Sequence, residues 1–307
     1  MNARIGRHLS LAIGCWICLA ADPIAHAELL GRLPATPGGD DYQAYYDTEL
    51  DITWLGDANL AQSNTFGVEP INGMGTVNPG AMGFAAATAY VAAVNSADYL
   101  GFSTWRLPKI APIDGSSFDY APATDGTTDR GYNIGAAGTS FAGSTASEPA
   151  HLYFTTLGNI AYYDPSGAPN SCPLEYPGCL EESGPFSNIM GFTYWIGTSY
   201  GPNPSGAAWA FNFGIGEQNA FGTQLGSHVW LVLDGDAGEL GVCGDANEDA
   251  AVTAPDALVA LLTAVSLESC AACRCDTDDS GGISASDALT ILRHAVSLPV
   301  TLACPPC

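Results

Sequence analysis

The spacing of apolar residues predicts two helices in the first half of the chain. In the segment 81–95, AMGFAAATAYVAAVN, apolar positions recur every three or four residues, which is the period of an amphipathic helix. The preceding Asn78-Pro79-Gly80 is a helix start signal. The segment 147–159, SEPAHLYFTTLGN, predicts a second and shorter helix.

Short alternating or apolar runs predict strands, because Gly, Pro or Asn bounds each of them. These runs are 44–55, which predicts strands around a turn, and then 192–200, 207–216 and 228–236. Helices early and strands late are typical of an α+β domain with an antiparallel sheet. We therefore expect a body over 28–240 and a separate small module over 241–307.

The first 27 residues have the pattern of an export signal. Arg4 and Arg7 precede the apolar run 9–21, and Ala25-His26-Ala27 is a small-x-small cleavage site. Lipid attachment at Cys15 is the alternative. No segment reaches the about 18 apolar residues that suggest a membrane span. We expect a chain with no transmembrane segment that is secreted, at the cell surface or in the periplasm.

The net charge of the chain limits the classes of partner that it can bind. Eight basic and 32 acidic residues give a formal net charge of −24. Such a surface repels nucleic acid and anionic membranes, so we exclude nucleic acid as a partner.

Cysteine usage agrees with export. Two of the ten cysteines fall in the predicted signal, which leaves 10 − 2 = 8, and an even number in an exported chain predicts disulfides. Cys172 and Cys179, between prolines, predict a local disulfide. The pairs Cys270/Cys273 and Cys304/Cys307 have a spacing that zinc sites use, but an exported chain favours disulfides there too. Their connectivity stays open.

An acidic loop sequence occurs twice near the C-terminus. Asp245 and Asp276 begin two loops that are 276 − 245 = 31 residues apart. Both place oxygen-bearing side chains at positions 1, 3, 5, 9 and 12, and a backbone carbonyl at position 7, which is the spacing of an EF-hand calcium loop. The candidate ligands are Asp245, Asn247, Asp249, Ala251, Thr253 and Asp256 in loop 1, and Asp276, Asp278, Ser280, Gly282, Ser284 and Asp287 in loop 2.

A short helix with an apolar stripe follows each loop, over 255–265 and 286–296. The carboxylate at position 12 falls in the first turn of that helix, where it also complements the helix dipole. We expect two Ca²⁺ sites, the first weaker because Ala250 stands where a Gly usually makes the sharp turn. The alternative is a solvated acidic loop without metal. The stripes are Leu258, Leu261, Leu262 and Val265, and Leu289, Leu292 and Val296.

Asp at position 12, the runs DALVALL and DALTILRHAV, and the scarcity of helix before each loop resemble the dockerin type I repeat family over about 243–298. The resemblance implies a small all-α, calcium-folded module that docks onto cohesin domains of a scaffold or cell-surface protein. The chain departs from the family at positions 10 and 11, where Ala254-Pro255 and Ala285-Ser286 replace the usual Ser-Thr type pair. Calcium binding is therefore better supported than cohesin binding.

The body resembles the Lcl C-terminal domain family of bacterial exported proteins over about 41–236. The order of its motifs carries the resemblance: DITWLGDAN, GFSTWRLPK, SEPAHLYF, FSNIMGFTYWIGTSY, AAWAFNFGIGEQ and HVWLVLDGD. It implies a C-type-lectin-like fold that recognises a carbohydrate or a protein. The best-known member of this family takes polyanionic sugars, which a body this acidic would repel. A neutral glycan or a protein is the expected ligand.

Catalytic motifs do not stand out. The sequence contains no HExxH, GxSxG, GxGxxG or P-loop. We predict structural roles for His151, His228 and Arg106. The five body tryptophans are expected in or near the core: Trp54, Trp105, Trp195, Trp209 and Trp230. The sequence favours a binding protein over an enzyme. A tethered extracellular carbohydrate-active hydrolase and a structural surface protein are the alternatives.

Overall fold

The computed structural model describes residues 28–36, 39–69, 78–173, 177–238, 242–247 and 251–305. The predicted export signal lies outside these ranges, so it stays a prediction. Within them, none of the helices combines the length and apolar character that a bilayer crossing needs.

Within the described part of the body, nine strands form two sheets. They are β1 Leu29–Pro34, β2 Tyr42–Asp47, β3 Ile52–Leu55, β4 Pro122–Ala123, β5 Arg130–Tyr132, β6 Thr193–Ser199, β7 Ala207–Asn212, β8 Glu217–Gly222 and β9 Val232–Asp234. The first sheet has the order β1-β2-β3-β9 and the second β4-β5-β8-β7-β6. All neighbouring strands are antiparallel except β4 and β5, which are parallel.

The predicted α+β class is therefore confirmed, with one correction to the purely antiparallel sheet. The hairpin predicted over 44–55 corresponds to β2 and β3, and the run 192–200 to β6. The run 207–216 is a strand only as far as Asn212, because a turn over 213–216 leads into β8. Whether the body is C-type-lectin-like stays a prediction.

Two helices lie in the body where the apolar spacing predicts them. Helix α1 spans Phe84–Ser96 and buries Ala86, Ala87, Tyr90 and Val94. Helix α2 spans Glu148–His151 and continues as a π-helical turn over Leu152–Thr156. The hydroxyl of Ser147 accepts the N–H of Ala150 and caps α2.

The five body tryptophans are buried, as predicted, with at most 2% of each exposed. Three of them donate their indole N–H to a backbone carbonyl: Trp105 to Tyr99 at 2.9 Å, Trp195 to Met82 at 2.7 Å and Trp230 to Leu55 at 2.8 Å. The Trp195 bond ties the segment before α1 to β6, and the Trp230 bond ties the segment before β9 to β3. Such bonds matter because a buried N–H without an acceptor is costly.

Three helices lie among the tail residues that the structure describes: α3 Ala254–Ala264, α4 Ala272–Cys275 and α5 Ala285–Ala295. The predicted helices 255–265 and 286–296 are thus confirmed to within one residue. Helices α3 and α5 pack together over a small core that is separate from the core of the body. Its buried members are Ala246, Ala257, Ala260, Cys275, Ala288 and Ile291.

Every cysteine among the described residues is disulfide-bonded. Cys172–Cys179 closes the Pro-rich loop, as predicted. In the tail, Cys243 bonds Cys304 and Cys270 bonds Cys275, and Cys273 is also disulfide-bonded. Sulfurs held in disulfides are not zinc thiolates, so this arrangement contradicts the zinc alternative.

Candidate functional site

Loop 2 of the tail gathers three carboxylates. Asp276, Asp278 and Asp287 each present one oxygen, and these oxygens lie within 4.8 Å of one another. Asp276 and Asp287 are fully buried, whereas Asp278 is exposed. Carboxylates this close repel each other, and a hard divalent cation would offset that repulsion with ligands of the type it prefers. These carboxylates are therefore a donor set that could hold a metal ion.

The start of α5 positions Asp287. Ser284 is the N-cap, and both its N–H and its hydroxyl donate to Asp287 Oδ2 at 2.9 Å. The N–H of Thr277 donates to Asp287 Oδ1 at 2.7 Å. Position 12 of the loop is thus also the third residue of the helix, and its carboxylate completes a capping box.

Hydrogen bonds between near neighbours in the sequence hold loop 2 around Asp276. The N–H of Ser280 donates to Asp276 Oδ1 at 3.0 Å, and that of Gly281 to Oδ2 at 2.8 Å. Although burial acts in the opposite direction, these N–H groups lower the pKa of Asp276 below its ordinary value. The hydroxyl of Ser280 also lies 3.3 Å from the carbonyl oxygen of Gly282, the predicted position 7.

Loop 1 repeats the same cap. Asp256 Oδ2 accepts the N–H of Thr253 at 2.8 Å and its hydroxyl at 2.9 Å. Asp256 Oδ1 accepts the N–H of Asn247 at 2.9 Å, and Asp245 is buried with 5% exposed. Asp249 lies outside the described residues, and Ala251 is described at the other end of that gap. The gathered carboxylates of loop 2 therefore make it the better-defined candidate.

The two apolar stripes face solvent on the same side of the tail. A groove of about 360 Å³ runs between α3 and α5, lined by Ala254, Ala257, Leu258, Leu261, Ala285, Ala288, Leu289 and Leu292. Each lining residue of α3 has its counterpart 31 positions later in α5. Leu258 and Leu289 are 56% and 57% exposed, and Leu261 and Leu292 are 43% and 40% exposed. Sequence reasoning found the stripes but missed their exposure.

The alanines next to each leucine stripe were the available signal for that exposure. Ala257, Ala260 and Ala288 let α3 and α5 approach closely, so the small residues form the core. The larger leucines remain outside. A stripe of leucines beside a stripe of alanines predicts this arrangement only when both helices are considered together.

Arg106 of the body joins two elements. Its guanidinium donates to both carboxylate oxygens of Glu148 at 2.8 Å, at the start of α2. Its Nε donates to Asp234 Oδ1 at 2.8 Å, at the end of β9. This fork of bonds agrees with the predicted structural role.

The two body histidines lie inside the fold. His151 is fully buried, with Nδ1 at 3.1 Å from the carbonyl oxygen of Ser144. His228 is 1% exposed and lies beside the rings of Phe192 and Tyr194. Burial lowers the pKa of His228 to about 4. Both positions favour the structural roles predicted for these residues.

No family model matches this chain, and no curated protein or solved structure matches it either.

Proposed function

We propose that this chain is an exported binding protein whose tail is a calcium-stabilised docking module. The observation that carries the proposal is the exposed groove between α3 and α5, in which Leu258 and Leu289 occupy equivalent places 31 residues apart. The occupant we propose is the apolar face of a partner protein. The resemblance of the tail to dockerins suggests a cohesin-like or cell-surface protein.

The exposed apolar area favours this role. Leucines that are about half exposed in the free protein bury the remainder when a partner covers them. Each of Leu258, Leu261, Leu289 and Leu292 would then contribute about 1 kcal/mol. Such a cluster at the centre of an interface is typical of the residues that dominate binding.

The acidic loops support the groove. A bound Ca²⁺ would neutralise the gathered carboxylates and join the beginning of each loop to the helix that follows it. In loop 2, Asp276 lies directly after α4 and Asp287 lies in the first turn of α5. The spacing of α3 and α5, and hence the shape of the groove, depends on those loops.

For the body we propose ligand recognition without catalysis. The aromatic core and the two sheets provide a rigid support, and the Gly- and Thr-rich segment around 114–147 is partly exposed, although its Ile134 and Ala136 belong to the core. A carbohydrate or a protein is the proposed ligand class, as the family resemblance implies.

A binding assay with a matched control tests the docking role. Immobilised cohesin domains would be presented with the full chain in calcium and in chelator. The double variant Leu258→Glu with Leu289→Glu is compared with Leu225→Glu, because Leu225 is 50% exposed in the body, far from the groove in sequence. We expect calcium-dependent binding that the double variant loses and the control keeps.

Three results would count against the docking role. These are the absence of cohesin binding, binding that the double variant retains, and a groove-dependent homodimer in sedimentation, which would make a second copy the occupant.

A further inference from the structure

A cleft lies at the edge of the second sheet, where β4 and β5 form its parallel pair. Its volume is about 420 Å³, within the roughly 300–1,000 Å³ that is typical of small-ligand sites. The polar and aromatic side chains that line it are those of Thr124, Asp125, Thr127, Tyr132 and Glu217.

A required glycine and two side-chain hydrogen bonds fix the backbone conformation around the cleft. Gly131 has a φ of +124°, and a Cβ there would lie 1.9 Å from the carbonyl oxygen of Ala123, so β4 can approach β5 only at a glycine. Asn133 is 5% exposed, and its amide donates to the carbonyl oxygens of Thr124 at 2.6 Å and Tyr163 at 2.8 Å. These contacts hold the wall of the cleft in one conformation.

Glu217 and Tyr132 stand side by side in this wall. They are directly paired across β5 and β8, which places their side chains on the same face. Glu217 Oε1 accepts the amide of Asn219 at 2.7 Å. Burial raises the pKa of Glu217, and burial together with the charge of Glu217 raises the pKa of Tyr132 to about 12. The tyrosine is therefore a neutral phenol that can both donate and accept.

Asp125 provides a second acceptor at the mouth of the cleft. Its Oδ1 accepts the hydroxyl of Thr127 at 2.6 Å and its N–H at 3.2 Å. The hydrogen bond from the Thr127 side chain is the main reason why the pKa of Asp125 is lowered. Asp125 thus remains a carboxylate that is fixed in direction and exposed to solvent.

Aromatic rings extend the wall beyond the cleft. Tyr132 meets Tyr163 edge to face at 5.1 Å between ring centroids, and Tyr163 meets Tyr162 in the same way at 4.9 Å. All three tyrosines are partly exposed. They offer apolar surface next to acceptors and hydroxyls.

We infer that this cleft binds a neutral carbohydrate through Glu217, Asp125 and Tyr132. Sugar hydroxyls would donate to the two carboxylates, and the C–H faces of the sugar would lie against tyrosine. Sulfated, phosphorylated or uronate ligands are disfavoured by those carboxylates and by the net charge of −24. The Nε of the nearby Arg130 donates a hydrogen bond to Asn219 Oδ1 at 2.7 Å. The inference rests on the proposed binding role of the body and adds its site and ligand class.

The test uses the full chain on an array of neutral gluco-, manno-, galacto- and xylo-oligosaccharides. Sulfated and uronate oligosaccharides and oligolysine are included as charged competitors. The strongest neutral ligand is then titrated by calorimetry against Glu217→Gln, which keeps the side-chain shape. The control is Asp114→Asn, an exposed carboxylate that accepts the N–H and hydroxyl of Ser116 just as Asp125 accepts those of Thr127. Thermal unfolding of each variant verifies the fold.

We expect a neutral oligosaccharide to bind, Glu217→Gln to weaken it roughly tenfold, and Asp114→Asn to change it less than twofold. The inference is overturned if no neutral oligosaccharide binds, if the preferred ligand is anionic or oligolysine, or if Glu217→Gln binds as the parent does. Neutral-oligosaccharide binding that Glu217→Gln leaves unchanged would overturn this site but keep the binding role of the body, so the two failures are distinguishable.

Discussion

The carboxylate of Asp287 accepts both the backbone N–H and the hydroxyl of Ser284, each at 2.9 Å. Asp256 and Thr253 repeat this relationship in the first loop. The last predicted ligand position of each loop is therefore also the carboxylate of a capping box, and one carboxylate would serve both purposes. Each carboxylate oxygen has two lone pairs, and the N–H and hydroxyl of the N-cap residue occupy both on Oδ2. A cation would therefore bind Oδ2 only when that hydroxyl rotates away. The caps orient these groups before any metal arrives.

Removing the guanidinium of Arg106 should destabilise the body strongly. Its side chain is 15% exposed and that of Glu148 is 14% exposed, so Arg106→Ala leaves a poorly hydrated carboxylate without its partner. We expect a loss of about 3 kcal/mol in the free energy of unfolding, measured by guanidinium denaturation. Lys109→Ala is the control, because Lys109 pairs with the same Asp234 at 3.5 Å but is 54% exposed, and it should cost under about 1 kcal/mol. Equal losses would contradict the structural role of Arg106.

The disulfide that closes the tail should matter more than the one in the body. Cys243–Cys304 spans 61 residues and Cys172–Cys179 spans 7. Because stabilisation grows with the length of the closed loop, replacing the first pair by serine should cost about 4 kcal/mol and the second about 2 kcal/mol. Denaturation followed separately for tail and body measures both. A tail that unfolds at the same denaturant concentration with and without Cys243–Cys304 would contradict this expectation.

Acid should destabilise the body through His228. Its pKa is lowered to about 4 in the folded protein, against about 6.5 in an unfolded chain. Between these values the unfolded state binds more protons, so stability falls as the pH falls from about 6.5 to 4 and is unaffected by this group above that window. The effect is at most about 3 kcal/mol.

The difference between the parent and His228→Gln isolates this term, because the other titrating groups are common to both. The free energy of unfolding of each would be measured from pH 7 to pH 4. The parent should lose stability relative to the variant only below about pH 6.5. Parallel curves would show that His228 does not carry the effect.

Periodic apolar patterns predicted the elements that bury one face. The helix around Tyr90 and the strand around Trp195 are examples, because their burial follows directly from spacing. Strand β8 was not predicted, since it begins with Glu217, Gln218 and Asn219. Gln218 is nonetheless 1% exposed, because its amide donates to the carbonyl oxygen of Asp129 at 2.7 Å. When a polar residue is buried because its hydrogen-bond partner lies far away in the sequence, the residues around it do not indicate that burial.

The acidic repeat predicted which residues would lie in each tail loop, but not how they would be arranged. Spacing alone does not show that Asp276, Asp278 and Asp287 converge within 4.8 Å, or that the leucines of both helices point outward. The cleft beside Glu217 was beyond sequence reasoning altogether. Its walls come from β4, β5 and β8. Because most of the second half of the body lies between Tyr132 and Glu217 in the sequence, no local pattern indicates that the two residues are neighbours.

Calcium titration of the full chain and of two neighbouring variants tests whether the carboxylates of loop 2 hold a calcium ion. Asp278→Asn removes one charge from the gathered carboxylates of loop 2, whereas Asp279→Asn removes the same charge from the adjacent position, which is outside that cluster. Calorimetry should show calcium binding by the parent, at least roughly tenfold weaker binding to loop 2 in Asp278→Asn, and little change in Asp279→Asn. A parent chain that binds no calcium at millimolar concentration, or two variants that behave alike, would contradict the account.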